Sequence, residues 1–160
     1  MKMIKVLAER LNRKVAPMHT VNYNATITET AKLFVKENIG AALVEKEVPE
    51  HGAFAGIISE KDIIKCCAEK IDISNFPVNQ IMHKNMIIAN ILDDVKSTVR
   101  KMRENHIRHI PLEEHGKIIA LISIRDLMYA EESVFVGVSV VGFPFKVENR
   151  GEFEQTLRSD

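Results

Sequence analysis

The chain has 160 residues, 46% of them apolar and 28% charged, a balance that predicts a packed core and excludes a disordered polymer. Its 22 basic and 22 acidic side chains cancel, which argues against a general nucleic-acid binder, because such a protein needs a basic face to displace counterions from phosphates. Its two cysteines, Cys66 and Cys67, are adjacent, and with no second pair a secreted disulfide scaffold is excluded as well.

The first residues, MKMIKVLAERLNRKV, carry charge throughout and lack the apolar centre of a signal peptide. MHTVN, from Met18, reads as a short strand. Asn24 and Thr26 offer turn and cap chemistry ahead of TETAKLFVKEN, where Ile27, Ala31, Phe34 and Val35 recur at helical spacing and form one apolar face. Ile39 and Gly40 release that helix into AALVE, a buried strand. EKEVPEHG is a turn, AFAGIIS a second strand, and EKDIIKCCAEK a helix on which both cysteines read as small buried apolar side chains. KIDISNFPVNQ, residues 70–80, is a linker in which Pro77 breaks any continuous helix.

The same order then returns. MIIAN, from Met86, is a strand; Asp93 or Asp94 caps a helix with Val95, Val99 and Met102 on one face; HIRHIPLEE mirrors NIGAALVE. EHGK turns the chain into IIALIS, which leads into IRDLMYAEE. Ile107 follows Ile39 by 68 positions and Ser123 follows Ser59 by 64, so the whole length difference falls in the hairpin turn, where it is tolerated. Each copy reads strand, helix, strand, strand, helix. One copy alone is a marginal core, so the two are expected to pack face to face. Beyond them, residues 133–160 include SVFVGVSVVGFPF, an alternating strand pattern apolar on both faces. At twelve residues, its apolar run from Val134 to Phe145 is too short to span a bilayer. A strand of that kind calls for a cover, from its own module or from a second chain.

Each copy writes Ser-x-x-Asp at a strand-to-helix junction: GIISEKDI and ALISIRDL. A single occurrence is explained by helix capping, with the hydroxyl and the carboxylate serving free N–H groups and the positive helix end. The duplicate has a second use. Open N–H groups at a helix start attract anions, and a carboxylate there accepts hydrogen bonds from both hydroxyls of a ribose. Among the six histidines no HExxH or paired-ligand spacing appears, and no metal is expected. No nucleophile elbow, Walker A loop or dinucleotide glycine fingerprint appears either, so binding rather than catalysis is expected.

These two motifs, with RHIPL at 108–112 and the duplicated βαββα order, resemble a tandem pair of cystathionine β-synthase (CBS) domains, a Bateman module. The resemblance implies an α/β (α+β) fold of two βαββα CBS repeats with pseudo-twofold symmetry. Repeat 1 covers residues 6–69, the linker 70–80 and repeat 2 residues 81–132, while 133–160 form a β-prone extension. It implies a non-catalytic, cytoplasmic regulatory protein whose clefts bind AMP, ADP or ATP, or NAD(H) or S-adenosylmethionine, with neither nucleic acid nor membrane as partner. The regulated protein is unnamed by the sequence, and a homodimer stacked through the helices at 93–105 and 124–132 is implied. An empty dimerisation scaffold, or an accessory subunit of an enzyme or transporter, are the rival expectations. Matched residue by residue, Asp62 and Asp126 take the ribose position, Ser59 and Ser123 the preceding hydroxyl position, and Arg108 and His109 a basic pair for phosphate. The resemblance groups Ser59 and Asp62 with Arg108 and His109. Gly40 and Ala41 stand where Arg108 and His109 stand in the other copy, so the Asp62 cleft is expected to be the stronger. Arg108 has a second option, an ion pair with Glu104 at helical spacing.

Overall fold

The computed structural model describes residues 18–48 and 54–132. In the first repeat, β1 (Thr20–Val21) leads to α1 (Ile27–Glu37), β2 (Ala41–Glu45), β3 (Phe54–Ser59) and α2 (Glu60–Ala68). In the second, β4 (Ala89–Asn90) leads to α3 (Val95–Glu104), β5 (His109–Glu114), β6 (Lys117–Ser123) and α4 (Ile124–Glu132). Each repeat makes its own three-stranded sheet, in the order β1-β2-β3 and β4-β5-β6, with one parallel and one antiparallel pairing. The register repeats as well. Val21 pairs with Val44 as Ala89 pairs with Leu112, and the irregularity after Val44 recurs after Leu112.

Local chemistry sets the helix ends. Thr26 caps α1 in a reciprocal box: the Glu29 N–H donates to Thr26 Oγ1 at 3.1 Å and the Thr26 N–H to Glu29 Oε2 at 2.8 Å. Those bonds to Thr26 hold the Glu29 carboxyl below its ordinary range. Asp94 caps α3, accepting from the Ser97 N–H at 3.3 Å. Both helices end on a left-handed residue, Asn38 (φ 52°) and His106 (φ 54°). The next N–H then reaches back five residues, Ile39 to Phe34 and Ile107 to Met102, both at 3.0 Å. His106 thus has a backbone task in this fold.

Each repeat carries its own core. Ile27, Phe34, Ala42, Val44 and Ile58 pack in the first; Val95, Met102, Ile110, Leu112 and Leu127 pack in the second. Sealing a side chain such as Ile27 or Ile110 contributes about 1.5–3 kcal/mol relative to exposure. Strands alternate their side chains, so Leu43 and Pro111 point away from these cores, yet both are fully buried. That second face is shielded where the repeats meet, as the close approach of Gly40 to His109 requires: a Cβ on Gly40 would lie 3.0 Å from the imidazole.

Three expectations change in detail. Val35 is 84% exposed, and the buried face of α1 runs through Ile27, Thr30 and Phe34 instead. Thr30 is admitted because its hydroxyl donates to the Thr26 carbonyl at 3.0 Å, as Thr98 does to Asp94 at 3.1 Å. Only Cys66 is buried, its thiol pushed up by that burial first and then by Glu69; Cys67 faces solvent. The stretch after Pro77 is also more than a connector. It forms a short 3₁₀ turn, Val78–Gln80, and Val78 and Met82 are buried in the first core. The strand pattern at 133–160 lies outside the described residues.

Candidate functional site

The antiparallel hairpins place each Ser-x-x-Asp motif beside the start of its own middle strand. His109 pairs with Ser123 and Ala41 with Ser59. The helix starts are tied to the same place: the Ile124 N–H donates to the Arg108 carbonyl at 2.8 Å, and the Glu60 N–H to the Gly40 carbonyl at 3.0 Å. Between the repeats lies a cavity of about 950 Å³, at the upper end of the usual range for small-molecule sites. Met18, His19, Gly40, Ala41 and Glu60 face it from the first repeat; Arg108, His109, Ser123, Arg125 and Asp126 face it from the second. Phe34, Ile39, Ile63 and Leu121 add apolar wall.

Four of the six residues singled out in the sequence therefore share one cavity. Ser59 and Asp62 are not among its lining residues, and in this cavity Arg108 and His109 stand with Ser123 and Asp126. The reason is register, since a residue opening β5 sits opposite the residue closing β6. Gly40 and Ala41 line this cavity too, facing the basic pair. Glycine at position 40 has a steric cause, because a Cβ there would also meet Glu60 Oε2 at 3.1 Å.

The two acidic residues differ in what they hold. Asp126 Oδ2 accepts from the Ser123 N–H at 2.7 Å and from Ser123 Oγ at 2.6 Å, while Oδ1 has no partner among the described residues. Asp62 Oδ2 accepts from the Ser59 N–H at 2.8 Å and from Ser59 Oγ at 2.7 Å, but its Oδ1 is taken by His83 Nε2 at 2.9 Å. Asp126 is exposed to the cavity; the Asp62 side chain is only 12% exposed.

Burial pushes the His109 imidazole below its ordinary pKa, and Arg108 and, more weakly, Arg125 push the same way; Glu60 and Asp126 oppose them. The neutral ring that results both donates and accepts at the cavity wall. Arg108 makes no ion pair with Glu104 among the described residues. Glu60, His19, Arg125 and His83 were not singled out from the sequence. Glu60 and Arg125 are spacer residues inside the motifs and read there as ordinary helix-surface charges, while His19 and His83 carry no local signature. Among the described residues no group of His, Cys, Asp or Glu is arranged to hold a metal, and no helix is long and apolar enough to cross a membrane.

The CBS domain family model matches residues 9–69 and 78–133, and the chain belongs to that family. A CBS-domain protein of Agrobacterium tumefaciens is 28% identical with a TM-score of 0.72, the match covering 81% of this chain and 92% of that one. A CBS-domain protein of Pyrobaculum aerophilum, solved in complex with AMP, is 26% identical with a TM-score of 0.65, covering 78% and 89%. A relative in Methanococcus vannielii named as a homoserine O-acetyltransferase is 31% identical over 129 residues, 76% of this chain and 26% of its own length. The chain spans 26% and 38% of the first two curated relatives it matches.

Proposed function

We propose that this CBS pair is a non-catalytic regulatory module that binds an adenosine phosphate in the cavity between its repeats. The observation that carries the reading is Asp126: one carboxylate oxygen holds the helix start and the other has no partner among the described residues, in a cavity that Arg108 also lines. A diol donates to the open oxygen, and the guanidinium receives the phosphate. The AMP complex of the Pyrobaculum relative supports this ligand class. Glu60 and Asp126 offset Arg108 and Arg125 within the cavity, which favours a monophosphate over a triphosphate. A ligand touching both repeats favours one relative placement of them, and a partner reads that placement. A homodimer in the cytoplasm is the form we assign to it. The longer methanogen relative favours one variant of this reading, in which the module regulates an enzyme.

The test is a thermal shift series with AMP, ADP, ATP, NADH and S-adenosylmethionine. At 100 times its dissociation constant a ligand adds about 2.7 kcal/mol, a rise of roughly 5–10 °C for a chain of this size. AMP is expected to give the largest rise. No response to any of the five refutes the reading in favour of an empty scaffold.

A further inference from the structure

We propose that His83 withdraws the first acidic motif from ligand binding, so that each chain carries one full-strength cleft, at Asp126, and one weakened by a bond within the chain. The inference rests on the adenosine reading and deepens it. Both motifs spend one carboxylate oxygen on their own serine. The second oxygen, which at Asp126 is open to the cavity, is engaged at Asp62 by His83 Nε2 at 2.9 Å. A carboxylate only accepts, so Nε2 carries the proton in this contact whether the ring is neutral or charged.

The segment that delivers the imidazole is held at its root. His83 and Ile57 exchange two backbone hydrogen bonds, at 2.9 and 3.1 Å, which add residue 83 to the free edge of β3. Gly56 makes this possible, because a Cβ there would lie 2.7 Å from the His83 carbonyl oxygen and 3.0 Å from Met82 Sδ. Met82 is buried in the first core and anchors the segment from its other side. The imidazole itself is 67% exposed, so it is free to leave when the carboxylate finds a better donor. A ribose hydroxyl at Asp62 must displace it, exchanging one charge-assisted bond for another where Asp126 gains a bond outright. That exchange weakens the Asp62 cleft by about tenfold.

Calorimetric titration of the full chain with AMP tests this, using wild type, His83→Ala, Asp126→Ala and the double variant His83→Ala/Asp126→Ala. Wild type is expected to show one tight site per chain, and Asp126→Ala to lose it. His83→Ala is expected to reveal a second site about tenfold tighter than its wild-type counterpart, and the double variant to keep that site alone. His83→Gln, which retains a donor, is expected to behave closer to wild type. Two equal wild-type sites, or an isotherm unchanged by His83→Ala, overturns the proposal. If wild type takes up no AMP, the adenosine reading fails, and the bond is judged separately by the melting temperatures of His83→Ala, Asp62→Asn and both together. Non-additive shifts then uphold the engagement of Asp62, and additive shifts overturn it.

Discussion

Replacing Asp126 with alanine separates a ligand-binding carboxylate from one that only finishes a helix. The side chain holds the Ser123 N–H and hydroxyl at 2.7 and 2.6 Å, so its loss removes a helix-start contribution of about 1 kcal/mol. For a chain of this size that lowers the melting temperature by roughly 2–4 °C. Asp62→Ala removes the matching pair of bonds to Ser59 and the contact with His83 as well, and is expected to cost more stability, about 1–2 kcal/mol. Affinity is where the two diverge most. A hydrogen bond to a charged group contributes about 1.5–3 kcal/mol, so losing one ribose contact weakens AMP roughly 10- to 150-fold in Asp126→Ala. Asp62→Ala leaves the tight site within about twofold of wild type, because its carboxylate is not in that cavity. Calorimetry and differential scanning fluorimetry on the same samples measure both effects. Equal loss of affinity in the two variants refutes the assignment, and so does Asp126→Ala with a lowered melting temperature and unchanged AMP binding.

Arg108→Ala is expected to weaken AMP by roughly tenfold or more while adenosine, which lacks the phosphate, changes little; titration of both ligands checks this. His109 has a folded pKa below its ordinary 6.5, so the unfolded chain takes up the proton first as pH falls. Its contribution to stability is complete above the ordinary value and declines as pH falls from there towards the folded value, a decline that His109→Gln reduces in melting curves between pH 7.5 and 5. A phosphate placed among His109, Arg108, Arg125, Glu60 and Asp126 raises that pKa again, so AMP binds with proton uptake and more tightly at pH 6 than at pH 7.5, as calorimetry in two buffers of different ionisation enthalpy measures. Gly56→Ala forces a Cβ into the His83 carbonyl and is expected to cost about 1–3 kcal/mol, seen as a fall of roughly 2–12 °C in melting temperature.

Much of this architecture was written in short-range chemistry. The capping residues Thr26 and Asp94, the short apolar runs in AALVE and IIALIS, and the doubled Ser-x-x-Asp each act over a few residues, and they locate the helices and strands closely. Reading Val35 as buried failed because helical spacing alone does not say how wide the covered stripe is; Thr30 took the place by bonding to its own helix. The site was half legible. Its residue types stand out in the sequence, while Glu60 gains meaning only from His109 in the other repeat, and Arg125 and His19 only from the cavity they line.

The sequence by itself determined a duplicated βαββα chain with a serine and an aspartate at each second helix start, because capping, periodicity and turn chemistry are contacts between near neighbours. Only the tertiary structure decided that Arg108 and His109 share a cavity with Asp126, and that His83 reaches Asp62. Those pairings depend on strand register and on the packing of segments far apart in the chain, and no local pattern of residues encodes them.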